Sequence, residues 1–222
     1  MEKTKQPFSL SSPPVTGGGN EESEHFPTPL SLAAAGLEEA IKICPACYEN
    51  RPVTLMEPGC GDNAPFLDAS TIYPVIRRVG QDIRKIEIPD CVLAHNWFPD
   101  TDYLDWTPQP GEEPDLIVTN PPFTLAQRFV EHSLEIIKPT GVVMMLLQTG
   151  FEGSKERVDF WKKHVAMKRI ILTPRPVFIG SSGDSREYAF YIWPGKSLDK
   201  MLAGLGRRYT EMTTLNNGSK WR

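Results

Sequence analysis

Val53-Thr-Leu-Met-Glu-Pro-Gly-Cys-Gly61 joins a short apolar run directly to a glycine turn, and helical sequence follows from about Asn63 to Val79. A strand that breaks into a turn and continues as a helix opens a βαβ unit. In an open α/β sheet, that turn lies where ligands bind, outside the carboxyl ends of the strands. Gly59 and Gly61 permit a tight turn and close approach of the backbone to a ligand. The spacing is not GxGxxG and no Walker lysine follows, so a pyrophosphate cradle is not indicated. Taken alone, the turn is also what an ordinary glycine-rich connection looks like.

A second stretch is more specific. Asp115-Leu-Ile-Val-Thr119 reads as a buried strand, and it ends in Asn120-Pro121-Pro122-Phe123. Two prolines stop strand pairing and fix φ, so the polar groups beside them are held at the strand's end. The amino group of a purine is a poor nucleophile because its lone pair is delocalised into the ring. The Asn120 side-chain oxygen and the Pro121 carbonyl could accept its two hydrogens and favour a pyramidal nitrogen able to attack a methyl donor. Phe123 would stack on the base, which must leave the duplex to be reached. The plain alternative is a Pro-Pro turn with a satisfied Asn.

Outward from these motifs, Leu30, Ala33, Ala34, Leu37 and Ile41 recur at helical spacing behind Pro29. A second strand is expected at Lys85 to Ile88 and a weak third near Tyr103 to Trp106. Ala126, Val130, Leu134 and Ile137 mark another helix, and Gly141 to Leu147 a central strand. Strands alternating with helices imply a mainly parallel sheet covered on both faces. Phe151 to His164 reads as a helix. Arg169 to Leu172 and Glu187 to Trp193 read as two strands joined by a Gly/Ser-rich loop, an antiparallel pair at the sheet edge.

The 222 residues suit one domain. Residues 1–25 are rich in Ser, Pro, Gly and Glu and read as a disordered tail, residues 26–195 as the folded domain, and 196–222 as a basic tail. With 40% hydrophobic and 23% charged residues, the chain has the composition of a globular protein. No apolar run approaches the ~20 residues of a membrane span. The N-terminus lacks the apolar core of a signal peptide, so the cytoplasm is the expected compartment. Cys44-Pro-Ala-Cys47 has the spacing of half a zinc site, but no second CxxC pair or HxxxH completes it, and no metal is expected.

Charge is unevenly distributed. Residues 1–154 carry 10 Lys and Arg against 22 Asp and Glu, while residues 155–222 carry 14 against 6. A polyanion would be steered to the surface formed by the last third, where Lys155, Arg157, Lys162, Lys163, Lys168 and Arg169 gather around one expected helix. A solvated basic face is the alternative. Lys162 and Lys163 are the candidate phosphate contacts.

The motifs together resemble a known family. Leu55 to Asp62 resembles methyltransferase motif I, which binds S-adenosylmethionine. Asn120 to Phe123 resembles motif IV of the amino-methyltransferases that act on adenine, and Phe26-Pro27-Thr28-Pro29 resembles the TP element that closes over the methionine part of the cofactor in the DNA adenine enzymes. The resemblance spans roughly residues 26–195 and implies a Rossmann-like class I methyltransferase: a mostly parallel, seven-stranded α/β sheet with helices on both faces and an antiparallel pair at one edge.

By that resemblance Thr28, Pro29, Glu57, Pro58, Gly59, Cys60, Gly61 and Asn120 would line the cofactor site. An acid ending the second strand would bind the ribose, with Glu87 favoured and Asp90 competing. Asp102 would face the cofactor's adenine, with Asp105 as rival. Pro174 to Phe178 resembles the later motif whose aromatic ring stacks on the other face of the target base, a role for Phe178 unless it is a core residue. Residues 150–187 would include substrate-recognition insertions, although the larger DNA enzymes have a separate domain for recognition.

The expected activity is N6-methylation of adenine in DNA, as in phage or restriction-modification enzymes. RNA adenine-N6 and protein glutamine-N5 methylation are alternatives. A non-catalytic cofactor-binding subunit would predict a damaged Asn120–Phe123 motif, and it is intact. Homodimer and partner subunit both stay open.

Overall fold

The structure is a computed structural model and describes residues 26–74, 76–87, 96–178, 186–206 and 210–216. Eight strands form one sheet in the order β3-β2-β1-β4-β5-β7-β6-β8. They are β1 Val53–Pro58, β2 Ile76–Gln81, β3 Asn96–Phe98, β4 Leu116–Thr119, β5 Val142–Gln148, β6 Lys168–Thr173, β7 Tyr188–Pro194 and β8 Glu211–Asn216. Strands β1 to β5 run parallel, and β7 enters antiparallel between β5 and β6. The helices are α1 Leu30–Ile43, α2 Pro65–Ala69, α3 Ala126–Ile136, α4 Val158–Lys163 and α5 Lys196–Gly204.

Both faces of the central strands are buried, so each strand reads as a continuous apolar run whose alternate residues serve different cores. Leu116, Val118, Val142, Met144, Leu146, Phe190 and Ile192 face a core shared with α1 and α2. Ile117, Val143, Met145, Leu147, Tyr191 and Trp193 face the other, closed by Phe129 and Val130 of α3 and Phe160 of α4. Gly36 lets α1 lie against the sheet, since a Cβ there would fall 2.5 Å from the Phe190 ring. At the base of the sheet, buried Asp115 accepts from Thr54 N–H (2.9 Å), Arg51 Nη2 (2.8 Å) and Lys138 Nζ (2.9 Å).

Five expectations are corrected. The helix expected to Val79 stops early, because Pro74 forces Tyr73 into extended backbone (φ −106°, ψ 95°). The second strand therefore lies at Ile76–Gln81 and not at 85–88, and the third at Asn96–Phe98. Tyr103–Asp105 is a 3-10 turn capped by Asp102. The helix expected over 151–164 is divided: Gly153 and Ser154 break it, Ser154 caps a 3-10 turn at Lys155–Arg157, and α4 follows. Residues 196–216, expected as a tail, contribute α5 and an eighth strand, with β8 pairing parallel to β6. The expected disordered tail, Asp90, Cys91 and most of the 179–187 loop lie outside the described residues. No helix among the described residues is long and apolar enough to cross a membrane.

Candidate active site

The turn after β1 is built from backbone strain and buried polar contacts. Gly59 (φ 59°) and Gly61 (φ 69°) lie in the left-handed region, where a side chain is strained. Above Gly59 the space is open: a Cβ there would meet only the Phe129 ring, at 3.8 Å. Gly61 N–H donates to Asp82 Oδ2 at 2.9 Å and Cys60 N–H to the Gln81 carbonyl at 3.1 Å, which ties the turn to the end of β2. Glu57, expected to line the site, is buried and accepts from Phe66 and Leu67 N–H at 3.1 and 2.8 Å. It caps α2, which has no side-chain cap of its own. Burial pushes the Glu57 carboxyl well above the usual range against the pull of those two amides. Cys60 is buried too, and its thiol, raised by burial, donates to the Gly61 carbonyl.

The acid ending the second strand is Asp82. Glu87, chosen when the strand was expected at 85–88, stands five residues beyond and is exposed. Asp82 is 4% exposed, and besides Gly61 it holds the Arg84 N–H and Nε at 2.9 and 3.0 Å. Gln81 Nε2 donates to the Thr101 carbonyl (3.0 Å) and Thr101 N–H to the Asp82 carbonyl (3.1 Å), which brings Asp102 alongside. Asp102 is exposed and accepts from Leu104 N–H. The break at Pro74 is the signal in the sequence that a strand starts at Ile76 and ends beside Asp82.

Asn120 is held from three sides. Before it, Thr119 Oγ1 donates to the Pro58 carbonyl at 2.6 Å, joining β4 to the turn. Its own Nδ2 donates to the Phe26 carbonyl (3.0 Å) and to Thr28 Oγ1 (3.1 Å). A carbonyl can only accept, so the Phe26 contact sets which way the amide faces. Asn120 Oδ1 is then left buried without a partner among the described residues. Thr28 is itself buried, its carbonyl receives Asn63 Nδ2 at 3.5 Å, and Pro29 supplies the carbonyl that starts α1. The 26–29 segment is thus bound to the β1 turn and to Asn120.

Pro121 is buried, Pro122 and Phe123 are half-buried, and the Pro122 carbonyl accepts from Leu125 N–H. The Phe123 ring lies 5.7 Å from Phe26 and 5.8 Å from Tyr188. Phe178, expected to stack on a target base, is 1% exposed and packs 4.9 Å from Tyr188 and 5.8 Å from Phe26. It supports the aromatic cluster from below and offers no open face. Beside Phe123 an open cleft of about 220 Å³ is lined by Ala126, Leu147, Gln148, Gly150, Phe151 and Arg157. Gln148 and Arg157 carry no motif, and only the fold brings them to Phe123.

The basic group around α4 is partly consumed internally. Lys168 pairs with Glu39 at 2.9 Å, Arg169 pairs with Glu152, and Lys162 pairs with Asp159 at 2.9 Å. Lys162 and Lys163 are exposed. The Cys44 and Cys47 thiols are free, and Cys44 donates to the Asp115 carbonyl.

No protein-family model and no curated protein sequence matches the chain. Solved structures do. A Listeria monocytogenes protein assigned to the class I S-adenosylmethionine-dependent methyltransferases shares 16% identity at a TM-score of 0.59, covering 91% of this chain and 68% of that one. A Lactococcus lactis protein described as a hemolysin shares 13% at 0.56, covering 84% and 94%. The M protein of the type I restriction enzyme EcoKI shares 17% at 0.51, covering 76% and 44%. At these identities the likeness is one of architecture, and it agrees with the strand order and the glycine turn: the chain has the Rossmann-like class I methyltransferase fold.

Proposed function

We propose that the protein transfers a methyl group from S-adenosylmethionine to the N6 amino group of adenine in DNA. The observation that carries this reading is Asn120. Both of its amide hydrogens are spent on Phe26 and Thr28, and its Oδ1 is buried and unpartnered at the end of β4. A buried acceptor without a donor is costly, and an incoming amino group supplies the donor.

The residues present fit the cofactor. The left-handed Gly59–Gly61 turn leaves open space that a side chain would fill, and Asp82 and Asp102 stand beside it. Gly59, Gly61, Asp82, Asp102 and Thr28 would hold it. Bound there, S-adenosylmethionine supplies an electrophilic methyl on a sulfonium.

The chain's own residues prepare the nucleophile. Asn120 Oδ1 accepts one amino hydrogen and the Pro121 carbonyl the other, favouring a lone pair directed out of the ring plane. Phe123 offers a stacking face at the mouth of the cleft. An amide is too weak a base to take a proton, so Asn120 orients the amino group and the proton leaves to water. The latched Phe26–Pro29 segment, which resembles the TP element of the DNA adenine enzymes, supports DNA over RNA or protein.

Incubation with methyl-labelled S-adenosylmethionine and DNA, RNA or protein separately, followed by digestion and chromatography, tests the reading. N6-methyldeoxyadenosine from the DNA sample is expected. Label confined to RNA or to glutamine would overturn it.

A further inference from the structure

The cleft beside Phe123 has a wall that the proposed chemistry does not use. Gln148 is the last residue of β5, and its Nε2 is buried with no hydrogen-bond partner among the described residues. A buried N–H in that state destabilises the fold unless an acceptor arrives. The terminal torsion of a Gln is broad, so a small rotation turns the amide into the cleft that Gln148 lines. Across from it, the Arg157 guanidinium stacks on the Phe151 ring, 4.4 Å from its centroid, and Nη1 donates to the Phe151 carbonyl at 3.3 Å. Among the described residues lining the cleft, Arg157 is the single charged one.

The half-buried Phe123 ring, one spare amide donor and one cation suit a flat ligand with an acceptor on its edge and a negative charge beyond it. Adenine's amino group is flanked by the ring acceptors N1 and N7, and a nucleotide brings a phosphate. A glutamine side chain has an amide oxygen beside its amino group but no ring nitrogen and no phosphate.

We infer that Gln148 determines substrate specificity: its Nε2 donates to a ring nitrogen flanking the amino group of the target base, while Arg157 meets the nucleotide's phosphate. This rests on the adenine-amino reading of the same site. Asn120 demands hydrogens and Gln148 demands an acceptor, so together they select an amino group next to a ring nitrogen. Gln paired to an adenine edge is an established donor-acceptor match, and losing such a contact costs roughly 10-fold or more in discrimination.

The test uses three pools of single-stranded oligonucleotides whose flanks are random in C, G and T only, around one central base: adenine, 7-deazaadenine or 1-deazaadenine. The wild-type protein should methylate adenine at least ~10-fold faster than one of the two deaza bases. Gln148→Met, which keeps the volume and removes the amide, should slow the adenine pool by about the same factor and abolish that preference, with an unfolding midpoint equal or higher. Gln148→Glu, which puts an acceptor where the donor was, should also lose the preference. Gln148→Met retaining the wild-type preference, or wild-type protein methylating all three pools equally, overturns the role of Gln148 while leaving the adenine reading standing. Wild-type protein that leaves adenine unmethylated in both this pool and duplex DNA overturns both.

Discussion

Phe26 and Asn120, 94 residues apart in the chain, are joined by a 3.0 Å hydrogen bond from the Asn120 amide to the Phe26 carbonyl. With Thr28 Oγ1 taking the second hydrogen at 3.1 Å, the amide has one allowed orientation, and its oxygen is the face left for a substrate.

Asn120→Ala is therefore expected to lower turnover by ~100-fold or more, the usual scale for losing one oriented polar group that acts in the transition state. Cofactor affinity should be retained. Single-turnover rates and calorimetry on the same preparation check both parts, and near-normal turnover would remove Asn120 from the mechanism.

Thr28→Val keeps the shape of the side chain and removes one of the two acceptors that orient the amide. Nδ2 keeps the Phe26 carbonyl, so the orientation loosens without being lost. A fall in kcat of about 10-fold, roughly one neutral hydrogen bond's worth, is expected, larger than any change in KM. Steady-state kinetics on DNA reads the split.

Gly59→Val places a β-branched side chain at φ 59° in otherwise open space. The backbone strain should destabilise the chain by about 1–2 kcal/mol, which a folded protein survives. Cofactor binding should be lost, because the side chain occupies the space that the turn keeps clear. Calorimetry showing wild-type affinity in the folded variant would place the cofactor elsewhere.

Asp115 links stability to pH. Burial alone would raise its carboxyl, but Arg51, the Thr54 amide and Lys138 outweigh burial and hold it below the usual range. A depressed folded value means the stabilisation is present above the unfolded value of about 4 and is lost as the pH falls through the folded one. Asp115→Asn should therefore cost about 2 kcal/mol at neutral pH, the scale of hydrogen bonds to a charged group. The gap to wild type should narrow below about pH 4. Denaturant unfolding at a series of pH values measures it, and a gap constant with pH would exclude the charge as its source.

Lys162→Gln with Lys163→Gln should reduce the slope of log affinity for DNA against log salt by up to about two, with cofactor binding unchanged. Lys168→Gln should act differently: its ion pair with Glu39 ties β6 to α1, so stability falls and the salt slope stays. An unaltered slope in the double variant would leave Lys162 and Lys163 as a solvated helix face.

What neighbouring residues decide can be read along the chain. The strand–turn–helix at Val53–Gly61, the buried strand ending in Asn120-Pro-Pro-Phe123 and the antiparallel pair at β6 and β7 are all legible because apolar period, glycine and proline act over a few residues. The second strand was misplaced because the apolar spacing of Ile72, Ile76 and Val79 also fits a helix, and only the break at Pro74 separates the two readings. Tertiary structure decided the rest. Glu57 became a helix cap because α2 packs against the end of β1, and Asp82 reached the Gly61 amide because β1 and β2 lie side by side. Phe178 was buried under Tyr188 and Phe26, and Lys168 and Arg169 were claimed by Glu39 and Glu152. Gln148 joined Phe123 because β5 lies next to β4. A side chain's type is written in the chain, but its partner is chosen by whichever distant group the packed sheet brings within hydrogen-bond reach, and that choice separates a site residue from a structural one.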